Sequence, residues 1–402
     1  MADDRTRRLL DPDAALTALR RLPAARPLLD VVGPRDGVWL VGGAVRDLLL
    51  GIAPHELDLL VEGPVDDLAA RLGPAVARHE RFGTVEVEPR PGVRYDLARA
   101  RRERYAEPGA LPEVEPVDRV QDDLPRRDVT VNAIALRLGD GALTEVPGAR
   151  DDLAAGVLRV LHDRSLIDDP TRVWRIARYA ARLGFAVEPR TRELAAASDP
   201  TTISGARHGS ELRLALSEPD PARVLATLLE LAPTFLPRGF DPEPPGLDAA
   251  LALLPTGGRR DLVRLAASCS GVALEHLLPW IDALELTSAE RDVVGAGSRS
   301  STLQPLRAAR LPSEIQRAAA GAPLEVVALA GGPNARRWIE ELRHVRLEID
   351  GRDLLAAGVA PGPAVGRGLA AALGAKLDGR LDPARPAAEA ELAAALSALA
   401  GA

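Results

Sequence analysis

Two carboxylates, Glu56 and Asp58, follow a glycine pair and an arginine in the stretch GVWLVGGAVRDLLLGIAPHELDLLVEG, residues 37–63. Side chains alternate along a strand, so in the apolar run that carries them Glu56 and Asp58 share one face, while Leu57 and Leu59 take the other. Carboxylates paired in this way suit a divalent metal held over a triphosphate. Gly42 and Gly43 let the backbone pass close to a phosphate, and the helix start beyond them offers unpaired amides and the positive end of a dipole. Arg46 adds a guanidinium to the same anion. A tight turn beside an exposed acidic strand end would use the same glycines, but the basic residue and the paired carboxylates at this spacing favour nucleotide chemistry.

Positioning these groups takes a strand over the apolar run 38–41, a Gly-Gly turn, a helix and a second strand. A short helix is expected before them, over about residues 14–31. After them, residues 65–72 read as a helix, and 84–88 and 93–97 as strands. Residues 99–121 form a polar, proline-bearing segment, and a loop of that length within a compact domain is functional or disordered. From about residue 150 strand-like alternation disappears, and Ala/Leu-rich helices punctuated by Pro and Gly run to the end. The expected fold class is α+β: a small mixed-sheet head over 1–150, a helical neck over 151–235, and a helical body and tail over 236–402.

The composition is that of a soluble globular protein: 402 residues, 46% hydrophobic and 27% charged, long enough for two or more cores. Aromatics are 3%, so nucleobases are not held mainly on aromatic platforms. A formal net charge of −7 argues against a general polyanion binder. Contact with RNA then falls to local basic clusters such as Arg101, Arg102 and Arg104, or Arg172, Arg175, Arg178 and Arg182. Cys269 is the only cysteine, which excludes internal disulfides and a cysteine-based zinc site, and Lys376 is the only lysine. With no signal peptide and no transmembrane run in view, the expected location is cytoplasmic. His162 and Asp163 form an HD pair, but no companion histidines follow at metal-binding spacing.

The stretch 37–63 resembles the nucleotidyltransferase fold shared with DNA polymerase beta. In detail, GGAVRDLLLG is similar to the first motif of the class II tRNA nucleotidyltransferase and bacterial poly(A) polymerase family, GGxVRDxLLG followed by DxD. The first metal position here is Glu56 where that family usually has Asp. The resemblance implies a two-metal Mg²⁺ site at Glu56 and Asp58, with the triphosphate at Gly42, Gly43 and Arg46. It continues in VRYDLARARRERY, where Asp96, at the end of a strand pattern, is the implied third catalytic carboxylate, able to orient or deprotonate the attacking hydroxyl. In DDLPRRDVTVNAIA, which resembles the family's RRDFTINALA, Arg127 and Asp128 fall at the positions assigned to ribose recognition. The same pair could cap a helix beginning at Val129. DDLAAGVLRV, residues 151–160, matches the hinge that joins head to neck.

DDPTRVWRIARYAARLGF, residues 168–185, places Val173, Ile176, Ala177, Ala180 and Leu183 on one apolar helical face. Asp169 and Arg172 are neighbours on the helix surface, where an ordinary first-turn ion pair would use the same residues. The family uses its EDxxR motif as a protein template: a carboxylate acceptor beside a guanidinium donor matches cytosine and adenine and opposes uracil and guanine. The resemblance therefore assigns the incoming base to Asp169 and Arg172, and Arg175 joins the nucleotide-binding set. In ISGARHGSELRLAL, residues 203–216, Arg207 and Glu211 match a helix that braces the base-reading one, with Ala206 replacing a Glu. The stretch 347–381 resembles the family's tail, where Gly362 and Gly366 permit close approach of RNA phosphate or of another helix.

The function implied is template-independent addition of CMP and AMP from CTP and ATP to the 3′ acceptor end of tRNA. A-only and poly(A) addition share these motifs. CC-only members typically lack the segment that here spans 99–121. The rival from another class is an RNA-binding homologue with weak catalysis, to which Glu56 and Ala206 would fit.

Overall fold

The computed structural model describes residues 7–33 and 37–400. The chain divides into two compact units, residues 1–236 and Pro237–Ala402. The first holds both the residues read as head and those read as neck.

At the centre of the first unit lies a seven-stranded sheet in the order β3-β4-β5-β2-β1-β8-β9. Its strands are β1 (Val38–Val41), β2 (Leu57–Val61), β3 (Ala75–His79), β4 (Thr84–Arg90), β5 (Val93–Arg99), β8 (Ile134–Arg137) and β9 (Leu143–Glu145). The pair β2/β5 is parallel and the other pairings are antiparallel, so the sheet is mixed. The run VWLV is apolar throughout because β1 is central and buried on both faces. At its end Gly42 turns the chain at φ +68°, a region open to glycine, and the two-turn helix α3 (Gly43–Leu49) packs back on β1 and β8.

Several expectations need correction. Residues 14–31 do not form one helix: α1 (Pro12–Arg20) ends before Pro23, which opens a 3₁₀ turn, and α2 (Arg26–Leu29) follows. Strand β3 was not foreseen because both of its faces are largely exposed and its sequence lacks apolar alternation. Residues 99–121 are not a structureless loop. Arg101–Arg104 (β6) and Glu113–Pro116 (β7) pair as an antiparallel ribbon, and the short helix α5 (Val120–Asp123) follows. Asp96 lies in the middle of β5 rather than at its end. No helix starts at Val129. A single 3₁₀ turn, Thr130–Asn132, leads straight into β8.

Beyond α6 (Ala149–Ala155) the first unit is helical, apart from a two-residue parallel pair, β10 (Val157–Leu158) with β11 (Ala186–Val187). The helix α7 (Ser165–Asp168) leads into α8 (Thr171–Leu183), which buries Val173, Trp174, Ile176 and Ala177 and ends at Gly184 in the left-handed conformation. Helices α9 (Pro189–Ala196), α10 (Gly205–Leu216) and α11 (Pro221–Leu231) complete the unit.

The second unit is helical among its described residues. Its main core gathers Leu262, Ala266, Val293, Ile315, Val327 and Ile339, and a smaller one gathers Ile349, Leu354, Ala372 and Ala395. No described helix is long and apolar enough to cross a membrane.

Candidate active site

A cleft of about 560 Å³ opens in the first unit, bordered by the Gly42–Gly43 turn, the end of the sheet that carries Asp58, and one side of α8. Eight arginines and six carboxylates are among its lining residues. The excess of positive charge suits an anion, and the carboxylates suit cations or base edges.

At one end, parallel pairing of β2 with β5 sets Asp58 directly beside Asp96, and antiparallel pairing of β4 with β5 sets Glu86 beside Asp96 in turn. Glu56 stands in a bend just before β2, exposed and lining the cleft; Asp96 adjoins Asp58 without joining the lining. Burial, then the neighbouring Asp96 and Glu56, hold the Asp58 carboxyl above the usual carboxylate range, against the pull of Arg127. Asp96 is raised by burial, then by Glu86 and Glu56. A Cβ on Gly42 would lie 3.3 Å from Arg127 Nη1 and 3.8 Å from Asp58 Oδ2. The glycine thus lets a guanidinium and a carboxylate flank the turn closely.

Arg46 is buried against the turn, donating from Nε to Asp47 (2.8 Å) and from Nη1 to Asn132 Oδ1 (2.9 Å). Asp123, fully buried, accepts from Arg126 Nε (2.8 Å), Arg127 Nη2 (3.2 Å) and the Arg101 amide (3.2 Å). Among the described residues, the buried Nε of Arg127 has no protein partner. Asp128 is joined to Arg175 at 2.8 Å and to the Tyr179 hydroxyl at 3.0 Å, and it sits far below the usual carboxylate range: burial opposes ionisation, but the Arg175 charge and hydrogen bond outweigh it. The Tyr179 ring has the guanidinium carbons of Arg46 and Arg175 each 5.7 Å from its centroid, which keeps both arginines at the cleft.

The other end carries the two residues expected to read a base. They are not an ion pair with each other. Asp169, at the α7–α8 junction, accepts on Oδ1 from Thr171 N (3.1 Å), Thr171 Oγ1 (2.6 Å) and Arg207 Nη2 (2.6 Å). Arg172 donates from Nη1 to Ser165 Oγ (2.6 Å) and from Nη2 to the Arg126 carbonyl (2.7 Å). Among the described residues, Asp169 Oδ2 and Arg172 Nε have no partner, so one acceptor and one donor remain for a ligand. Arg207 also donates to the Gly109 carbonyl at 2.8 Å, and Glu211 bonds Arg178 at 3.3 Å.

The cleft therefore brings together Gly42, Gly43, Arg46, Glu56, Asp58, Arg127, Asp128, Asp169, Arg172 and Arg175, with Asp96 adjoining. Gly362 and Gly366 belong to the second unit. A Cβ at either would meet nothing within 4 Å, so neither is a packing contact. Sequence reasoning missed Asp123, Asn132, Ser165 and Tyr179. Tyr179 had a legible signal, since it follows Arg172 and Arg175 at seven and four residues, on the same helix face.

Residues 38–159 match the family described as Poly A polymerase head domain. Relatives include an A-adding tRNA nucleotidyltransferase of Halalkalibacterium halodurans, 38% identical over 210 residues (49% of each chain), and a CC-adding tRNA nucleotidyltransferase of Deinococcus radiodurans, 43% identical over 205 residues (49% of this chain, 54% of that one). The match thus spans about half the length of these curated relatives. Among solved structures, the Thermotoga maritima CCA-adding enzyme complexed with tRNA matches over 97% of this chain and 99% of that one, with a TM-score of 0.71 and 25% identity. A CCA-adding enzyme in complex with ATP matches with a TM-score of 0.73 and 26% identity, over 97% of this chain and 96% of that one. Over its first half the chain is thus similar to A-adding and CC-adding tRNA nucleotidyltransferases, and over nearly its whole length it shares the fold of CCA-adding enzymes.

Proposed function

We propose that the chain is a template-independent nucleotidyltransferase that adds CMP and AMP, from CTP and ATP, to the 3′ acceptor end of tRNA in the cytoplasm and releases pyrophosphate. One observation carries this reading: a single cleft, of a size for one nucleoside triphosphate, has the Gly42 turn and the Asp58 carboxylate at one end and the partnerless Asp169 Oδ2 and Arg172 Nε at the other. The resemblance to CCA-adding structures along nearly the whole chain supports it.

In this reading the free acceptor of Asp169 takes the amino group of cytosine or adenine, and Arg172 donates to the adjoining ring nitrogen. Arg127 and Arg175 face the phosphates. The terminal ribose hydroxyl of the RNA gives its proton to the Asp96 carboxylate. Its oxygen forms the new bond to the α-phosphorus as the bond to the pyrophosphate oxygen breaks.

The crowding of Asp58, Asp96 and Glu56, with Asp58 and Asp96 pushed towards protonation, fits a hard divalent cation such as Mg²⁺. Among the described residues no three His, Cys, Asp or Glu side chains stand together as a ready-made ligand shell, so the protein's share of the coordination falls to a carboxylate pair. Glu56 and Asp58 would hold the metal, which when bound supplies charge neutralisation at the reacting phosphate. Residues 1–150 serve as head, 151–235 as neck, and 236–402 as the body and tail that hold the acceptor arm.

The A-adding relatives make A-only addition the second reading. The test is incubation of the protein and Mg²⁺ with tRNA transcripts ending at the discriminator base, at C and at CC, supplied with CTP, ATP or both. Stepwise completion of all three to CCA is expected. Extension of the CC end alone would make the protein A-adding, and a long A ladder a poly(A) polymerase. Bound tRNA that is never extended would leave a non-catalytic RNA-binding protein.

A further inference from the structure

A second pocket, of about 400 Å³, opens in the first unit where the turn before β4, the end of β5 and the β6–β7 ribbon meet. It lies away from the cleft. Asp96 and Arg99 are three residues apart on β5, so their side chains take opposite faces of the sheet, roughly 10 Å apart along the strand. Gly83, at φ +58°, turns the chain from the 3₁₀ turn Glu80–Phe82 into β4 and accepts from the Arg99 amide at 3.1 Å. That bond sets Phe82 beside the end of β5.

Arg81, Arg99 and Arg101 line this pocket, and among its lining residues the one carboxylate is Asp66, which is paired with Arg78. The Phe82 ring has the guanidinium carbons of Arg81 and Arg101 at 5.5 and 5.7 Å from its centroid. A ring face attracts a cation without taking any of its N–H donors. Arg101 gives its own donors to the Phe82 carbonyl (2.5 Å) and to Glu103 (3.2 Å), whereas Arg81 is exposed and, among the described residues, has no hydrogen bond or ion pair. Arg99 makes one long contact, from Nη2 to the exposed Asp118 at 3.5 Å, and its buried Nε has no partner among the described residues. A buried N–H left unpaired is costly and calls for an acceptor. Burial, then the neighbouring Arg126, push the Arg101 guanidinium down against the pull of Glu103, so the protein itself undercompensates the positive charge here. In a chain of net charge −7, such a concentration of unpaired donors is where a polyanion can be held.

We propose that this pocket is a second phosphate site, in which Arg81 and Arg99 bind a backbone phosphate of RNA on the face of β5 opposite Asp96, against a wall made by Arg101 and Phe82. The free donors define phosphate as the ligand; only the choice of RNA as its carrier rests on the nucleotidyl-transfer reading. A free nucleotide carries the same phosphate chemistry, and the test has an arm for each source.

The full-length wild type, Arg81→Gln and Arg99→Gln are titrated with a tRNA transcript at several salt concentrations, and with CTP and inorganic pyrophosphate by calorimetry. Each variant is expected to bind tRNA on the order of tenfold more weakly, with the slope of log K against log salt shallower by about one. CTP affinity should stay at its wild-type value. Unchanged tRNA binding, with two pyrophosphates taken up by the wild type and one by the variants, would keep the phosphate site and assign it to a free nucleotide. Unchanged tRNA affinity and salt slope together with unchanged pyrophosphate stoichiometry overturn the proposal. Arg99 is half-buried, so should its variant not fold, Arg81→Gln at its exposed site decides the question alone, and Arg81→Lys should regain most of the lost affinity. Wild-type protein that extends tRNA while both variants bind as it does would sink the site and leave the nucleotidyl-transfer reading standing. Loss of tRNA binding in the variants of a protein that extends no RNA would do the reverse.

Discussion

Asp58 and Asp96 are direct partners in the parallel register of β2 and β5, two carboxylates on the same side of the sheet, with the Arg127 guanidinium opposing their repulsion at Asp58. Like charges set directly opposite destabilise a strand pair. The folded value of Asp58 is raised, so the folded state holds the proton more tightly than the unfolded one, and stability is lost as pH rises through that value. With divalent ions chelated, Asp58→Asn should therefore raise Tm at neutral pH by a few degrees, given about 2–4 °C per kcal/mol for a unit of this size. The gain should vanish below the ordinary carboxylate range. Nucleotide transfer should fall by roughly a hundredfold or more, about 2.7 kcal/mol in the barrier. Thermal scans at two pH values decide it, and a lower Tm at neutral pH would show that the two carboxylates are not in conflict.

Glu56 lies in a bend before β2 rather than within the strand, so its backbone is not locked in the sheet ladder. The longer side chain can then reach the same space from a position set further back. Glu56→Asp should change kcat by less than about threefold, under 1 kcal/mol in the barrier. A tenfold rise in single-turnover rate would mean that Glu56 holds the metal poorly and that this chain works below its capacity.

Arg207 ties Asp169 to the ribbon connection through the Gly109 carbonyl, so one guanidinium fixes where the Asp169 carboxylate points. Arg207→Gln removes the charge and one of the two bonds. Discrimination of CTP and ATP against UTP should fall on the order of tenfold in kcat/KM, the scale of one misplaced hydrogen-bond partner, while tRNA affinity is retained. Equal losses for all nucleotides would reduce Arg207 to a purely structural brace.

The parts of this fold that were legible in the sequence are those where burial imposes a period. Val38–Val41, and Leu57–Val61 apart from Asp58, are apolar because the sheet is buried there, and α8 shows its core face at helical spacing. The β6–β7 ribbon carries no apolar period: its residues apart from Val114 and Pro116 are charged, and even the inward-facing ones of β6, Arg101 and Glu103, are charged and half-buried, so hydrophobic alternation does not mark it as strand. The same limit explains Asp123. Its carboxylate is fully buried because three donors converge on it from residues 101, 126 and 127. Such convergence is a property of the folded chain and leaves an acidic residue in an acidic run looking like surface. The glycine turn and the carboxylates beside it were readable because their chemistry depends on residue type and short spacing alone.

His208 on α10 packs edge-on between Trp174 (centroids 5.6 Å apart) and Phe235 (6.0 Å), and burial pushes its imidazole down to about 4. Its folded value lies below the unfolded one of about 6.5, so the neutral ring's contribution is complete above the unfolded value and is lost as pH falls from there towards 4. Between pH 7 and 4.5 the wild type should lose about 2 kcal/mol more stability than His208→Leu. Urea titrations of both proteins at the two pH values measure the difference. Parallel losses would place the acid sensitivity elsewhere.

Lys376, the only lysine in the chain, reaches Glu391 at 2.7 Å and the Arg346 carbonyl at 2.8 Å. Glu391 is fully buried and also accepts from the amides of Glu348 (2.7 Å) and Ile349 (3.3 Å), so this one carboxylate joins the helix Ala387–Ala400 to the helix Pro363–Leu377 and to the segment that precedes both. These partners outweigh burial and hold its carboxyl below the usual range, so its stabilisation is present at neutral pH and lost as pH falls through the lowered value. Lys376→Met leaves the charge buried with two amides and no cation. It should cost the second unit about 3 kcal/mol at pH 7, and less in acid, where Glu391 becomes neutral. Replacing Glu391 by Met as well should recover part of the loss but not all, because the amides of Glu348 and Ile349 then lack an acceptor. Chemical denaturation of the two variants at pH 7 and pH 4 separates these outcomes. A Lys376→Met variant as stable as the wild type at pH 7 would mean that the two backbone amides alone carry the buried carboxylate.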